Sequence, residues 1–136
     1  MLFILVVLAA LGAGLAKISQ RQQLGSAAEI DASRAYQSAR AGLEWAAFQV
    51  LRIPAPPGAA PACFGATSFA PPGSLSRFTV TVNCTRTAAS DGATTMVFYQ
   101  LVANACNAPS GGACPNATAA PATTYVERQL TWTVMR

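Results

Sequence analysis

The chain opens on an uninterrupted apolar run, MLFILVVLAALGAGLA, and its first charge is Lys17. As a helix this run would span roughly 24 Å, against the ~30 Å and ~20 residues of a bilayer core. Residues 1–16 are therefore expected to form a transmembrane segment of marginal length. The first proline of the chain is Pro54. Residues 1–52 read as one long helix, with Gly12, Gly14, Gly25 and Gly42 as its weak points, each costing about 1 kcal/mol relative to alanine.

Residues 24–52 are amphipathic in an unusual way. Ala28, Ala32, Ala35, Ala39, Leu43, Ala46 and Val50 recur every three or four positions and form one stripe. Ile30, Ala41, Trp45 and Phe48 lie nearly opposite, with Asp31, Arg34, Arg40, Glu44 and Arg52 between. Two stripes on one helix suggest that it is sandwiched between its own domain and a partner. Because large aromatics dominate core energetics, Trp45 and Phe48 are expected to face the protein's own sheet. The small-residue stripe would then be the interface for neighbouring helices, and Leu43→Asp would abolish function by placing a charge there.

Residues 53–77 are rich in Pro, Gly and Ala and read as a connecting loop with little regular structure. Alternation then takes over. Phe78, Val80, Val82 and Cys84 share one face of a first strand. Ser90-Asp91-Gly92 signals a turn, and residues 94–103 form a second strand. After a loop over residues 104–124, residues 125–135 form a third, with Val126, Leu130, Trp132 and Val134 on one face. The expected fold is α+β, with residues 78–136 forming a three-stranded antiparallel sheet packed on the long helix.

The four cysteines, Cys63, Cys84, Cys106 and Cys114, change this picture most. An even count in a small domain behind an export-type N-terminus suggests two disulfides, for which three pairings exist. Pairing sequence neighbours, Cys63–Cys84 and Cys106–Cys114, is favoured; a four-cysteine zinc site is disfavoured because no C-x-x-C occurs. Disulfides would place the C-terminal domain in an oxidising compartment. The positive-inside rule, applied to Lys17 and Arg21, points the other way, and a basic segment ahead of Met1 would remove the conflict.

Composition narrows the chemistry. Nine Lys+Arg against five Asp+Glu, spread along the chain, do not mark a nucleic-acid binder. Histidine is absent, which removes the commonest general base and imidazole metal sites. No carboxylate pair, phosphate loop or nucleophile–base set appears, so no enzymatic activity, cofactor or small-molecule substrate is expected. Arg40 and Glu44 are spaced for a solvated ion pair. Asn83-Cys84-Thr85 and Asn116-Ala117-Thr118 match the glycosylation pattern at a frequency that chance explains.

ILVVLAALG followed by SRAYQSARAGLEW resembles the MshP family, minor pilin-like proteins of the mannose-sensitive haemagglutinin (MSHA) type IV pilus system. The resemblance covers roughly the N-terminal helix. It implies a type IV pilin-like fold, processing by a prepilin peptidase, and N-methylation of the new terminus. It also implies storage in the inner membrane with the head in the periplasm. The implied role is pilus assembly or priming, beside other major and minor pilins and the assembly machinery. In that family a basic leader and the first mature residues would precede Met1, and about seven added residues would bring the run to the length of a bilayer span. The same architecture would suit a type II secretion pseudopilin. A different reading is a secreted disulfide-bonded binding domain, cleaved from a signal peptide after Gly14-Leu15-Ala16.

Overall fold

The computed structural model describes residues 2–118 and 122–136. Met1 of the expected membrane segment and residues 119–121 of the expected loop lie outside the described residues. A helix, α1, runs Leu2–Arg52, followed by strands β1 (Thr67–Phe69), β2 (Thr79–Asp91), β3 (Thr94–Cys106) and β4 (Glu127–Met135), with a 3-10 turn at Gly73–Leu75. The chain divides into two units, Met1–Asp31 and Ala32–Arg136.

Four strands, not three, make the sheet. Their order is β1-β2-β3-β4, and every neighbouring pair is antiparallel. The additional strand, β1, lies inside the segment expected to be irregular. Its three residues pair with Val80–Val82, and Phe69 packs against the core. Tertiary contacts thus impose structure where local composition favours none. β2 also runs seven residues beyond Cys84. Its outer half, Thr85–Asp91, is exposed and lacks apolar alternation, and pairing with β3 carries it to the turn. Asp91 pairs with Thr94 across Gly92 and Ala93. Gly92 has φ 60°, and among the described residues no non-glycine residue has positive φ. That is the pattern of a two-residue II′ hairpin, which a glycine at its first central position permits.

The helical part of the second unit covers one face of this sheet. Ala35, Ser38, Ala39, Leu43, Ala46 and Val50 are all buried there, as are Val80, Val82, Tyr99, Leu101, Ala103 and Ala105 on the strands. Gly42 lies on the same stripe. A Cβ built on it would fall 2.5 Å from Val80 Cγ1, 3.1 Å from Val82 Cγ2 and 3.3 Å from Ala103 Cβ. At Gly42 helix and sheet therefore approach too closely for a larger side chain, while Leu43 and Val50 fill the space beside it.

This reverses the expected assignment of the two stripes. From Ala35 to Val50 the small-residue stripe forms the core instead of an outward interface; Ala32 is half-buried and Ala28 is exposed. Phe48, expected to face the sheet, is 55% exposed. Trp45 does take part in packing, but at the edge of the core. Its ring meets Phe64 edge-on at 5.0 Å and Phe69 at 5.6 Å. The physical reason is steric: a bulky ring at position 42 or 46 would hold helix and sheet apart, so aromatics are relegated to the flank.

Both disulfides pair sequence neighbours, Cys63–Cys84 and Cys106–Cys114. The first ties the loop after α1 to β2. The second folds residues 107–114 back, where the Cys114 amide donates to buried Thr81 Oγ1 at 2.8 Å. Arg136 closes the other end. Its guanidinium donates to the carbonyls of Val50 (3.0 Å), Pro54 (2.8 Å) and Gly58 (2.9 Å). Val50 O is among the carbonyls a helix C-terminus leaves without an intrahelical donor.

Candidate assembly surface

The first unit is a helix whose apolar side chains have no cover within it. Phe3, Ile4, Leu5, Val6, Val7, Leu8, Leu11, Leu15 and Ile18 are all exposed, Phe3 by 79%. Six consecutive residues, Phe3 to Leu8, pass more than once around a helix of 3.6 residues per turn. The apolar surface therefore encircles the helix instead of forming a stripe. Such a helix belongs in a protein interior, a bilayer or an assembly. Fully covering each large side chain stabilises by about 1.5–3 kcal/mol, so the set represents at most roughly 14–27 kcal/mol of unrealised burial.

Small residues are interleaved with the large ones. A Cβ added at Gly12, Gly14 or Gly25 would meet nothing within 4 Å. Among the described residues of their own unit these glycines thus serve no close contact. Small residues such as Ala9, Ala10, Gly12, Ala13 and Gly14 permit close backbone approach by another helix. α1 runs through all three glycines, including the Gly12-Ala13-Gly14 step.

Length bears on what can cover this surface. Among the described residues, no helix is long and apolar enough to cross a membrane. The run expected to be a marginal transmembrane segment reaches its first charge at Lys17, fewer residues than the ~20 of a bilayer span.

The second unit offers little chemistry. Among the described residues, no group of three His, Cys, Asp or Glu side chains is placed to hold a metal ion, and both cysteine pairs are oxidised. Arg40 and Glu44 form an ion pair at 3.0 Å with both side chains more than half exposed, which contributes about a few tenths of a kcal/mol. The unit's most developed polar cluster joins the loop to β4. Tyr125 Oη donates to Glu127 Oε2 and accepts the Asn116 amide at 3.0 Å. Partial burial, then the bond to Glu127, raise the Tyr125 phenol above its ordinary value of 10.0, while the Asn116 amide opposes this. Asn116 Nδ2 donates to Ala108 O at 2.7 Å, and Asn107 bonds both Thr124 O and the Val126 amide through its side chain. These bonds close the loop on itself, and the cluster reads as scaffolding.

No family model, curated protein or solved structure matches this chain. The chain is α+β, an N-terminal helix with a four-stranded antiparallel sheet and two disulfides. The apolar run, the helix over residues 2–52 and the cysteine pairing are as the sequence predicts. Ser38 and Gly42 are core positions that it does not announce. Their signal was present, since both fall on the three- and four-residue spacing of Ala35, Ala39 and Ala46, but they are not hydrophobic. Ser38 is accommodated because its hydroxyl donates to Arg34 O at 2.9 Å.

Proposed function

We propose that this protein is a minor pilin-like component of type IV pilus biogenesis, of the MSHA type, acting in assembly or priming without catalysis. One observation carries the reading: a helix that exposes large apolar side chains on every side, joined in sequence to a disulfide-stapled α+β unit. The apolar run must be covered. At the inner membrane lipid would do so, with the disulfide-bonded unit in the periplasm, where oxidised cysteines persist. In an assembly, helices of major and minor pilins would replace the lipid. The exchange is close to neutral for burial, because tails and side chains are equally apolar. Helix packing at Gly12 and Gly14 then tips the balance. The proposed role requires no active site.

The test is the mass of the N-terminal peptide of the protein isolated from native cells, together with its fractionation. An N-methylated apolar terminus, with the protein in membranes or sheared pili, is expected. A terminus at Lys17, with the protein free in the medium, would overturn the proposal in favour of an exported soluble domain.

A further inference from the structure

The sheet has two very different edges. β1, at one edge, has three residues, is followed by Pro71 and Pro72, and lies close to the Cys63–Cys84 bridge in sequence. Short length and proline are the devices that protect an edge from pairing. β4, at the other edge, has nine residues, ERQLTWTVM, with no proline and with charge only at its first two positions. Its nine partners on β3 run in unbroken register, without a bulge.

The hydrogen-bond phase of β4 is set by its last pair. Val97 and Arg136 exchange both backbone bonds, at 2.9 and 2.8 Å. Bonded pairs alternate along an antiparallel ladder, so Arg128, Leu130, Trp132 and Val134 bond β3. The N–H and C=O groups of Glu127, Gln129, Thr131, Thr133 and Met135 point away from the sheet. Among the described residues, these groups have no backbone partner, and Glu127 O alone receives a side chain, from Arg128 at 3.3 Å. Beside this edge Trp132 is left 37% exposed on the helix-covered face.

We infer that β4 pairs antiparallel with β4 of a second copy of this chain, about a two-fold axis at Thr131. The strand is self-complementary in this register. Thr131 bonds its counterpart, Gln129 bonds Thr133, and Glu127 bonds Met135, so every outward backbone group is satisfied. Leu130 falls opposite Trp132 at the closely spaced, non-bonded positions, where side-chain contact is greatest. Arg128 falls opposite Val134, and no like charges are opposed. Moving the axis to Trp132 would preserve the bonding phase but oppose Arg128 to Arg136, which the hydrogen bonds to Val50, Pro54 and Gly58 hold in place; moving it to Leu130 would set Met135 against Tyr125, whose amide already donates to Ala122 O. The result is an eight-stranded sheet closed by an isologous two-fold interface.

The full chain in detergent micelles provides the test. Detergent-corrected mass should be twice that of one chain, and amide exchange should slow with concentration at Gln129, Thr131 and Thr133. Thr131 is exposed, so changing it leaves the core intact. Thr131→Lys alone and Thr131→Glu alone place like charges across the axis and should each give single-chain mass with a retained far-ultraviolet CD spectrum. An equal mixture of the two should restore the doubled mass. A wild-type protein of single-chain mass would overturn the inference. So would oligomers whose mass and exchange are the same in wild type and both variants, since those would be held by the N-terminal helix. Failure of the mixture to reassociate would overturn the two-fold at Thr131.

Discussion

Gly42→Ala isolates the close approach of helix to sheet. In an exposed helix this change stabilises by about 1 kcal/mol, because alanine loses less backbone entropy. At position 42 the added methyl would meet Val80 Cγ1 at 2.5 Å, with Val82 Cγ2 and Ala103 Cβ at 3.1 and 3.3 Å behind it. Val80 cannot swing away. It is fully buried, and β-branching confines its χ1. The helix must lift or the strand must shift, and overpacking of this kind costs roughly 1–3 kcal/mol. Three simultaneous contacts place the cost in the upper part of that range, for a net loss of about 1–2 kcal/mol. For a unit of this size each kcal/mol moves the midpoint by roughly 4–8 °C, so a fall of about 4–16 °C is expected in thermal unfolding followed by near-ultraviolet CD. The double variant with Val80→Ala supplies the control. Removing Cγ1 vacates the space the new methyl needs, so the two changes together should cost less than their sum by about 0.5–3 kcal/mol. Gly42→Ala that raises the midpoint, or strict additivity in the cycle, would refute the close-approach argument.

Three other outcomes rest on the same structure. Leu43→Asp should unfold the second unit, a loss of more than about 4 kcal/mol, because the carboxylate would enter a fully buried site, whereas Phe48→Asp should leave the unfolding midpoint within a few degrees; urea titration of both separates a core stripe from an outward one. Replacing Cys63 and Cys84 by serine should cost roughly 3 kcal/mol and replacing Cys106 and Cys114 somewhat less, since their separations are 21 and 8 residues and loop entropy grows with length; denaturant midpoints of the two double variants give the order. The Tyr125 phenol is raised above 10.0 in the folded chain, so its contribution is complete below pH 10 and is lost as pH rises through the folded value; Tyr125→Phe should remove that alkaline component, read as midpoint against pH.

Much of the architecture was legible because it obeys local rules. An unbroken run to Pro54 specifies the helix, Gly92 specifies the hairpin, and each cysteine pairs with its neighbour in sequence. β1 was not legible, because Thr67–Phe69 pairs only through what β2 and Trp45 offer it. The outer half of β2 was hidden for a related reason. Thr85–Asp91 has no buried face of its own and takes its register from β3.

The reversed stripes teach more. Periodicity located both faces of the helix, but hydrophobic size was a poor guide to which one met the sheet. Burial energy scales with area removed from water, and this favours large side chains only where the backbones leave room for them. Here Gly42, Ala39 and Ala46 let the backbones approach, so that valines and Tyr99 on the strands supply the volume instead. At these three positions the helix contributes shape, and its bulk comes from Leu43 and Val50 beside them. The first unit uses small residues differently. Its glycines touch nothing, and its bulky residues are the exposed ones. A small residue beside a filled core is thus a packing requirement already met, whereas a small residue beside uncovered Leu, Ile and Phe is one that its own unit leaves unmet. On that distinction, the alanine stripe from Ala35 to Ala46 is already occupied, whereas the large apolar side chains from Phe3 to Ile18, and farther along α1 Ile30, Tyr36 and Phe48, are left exposed.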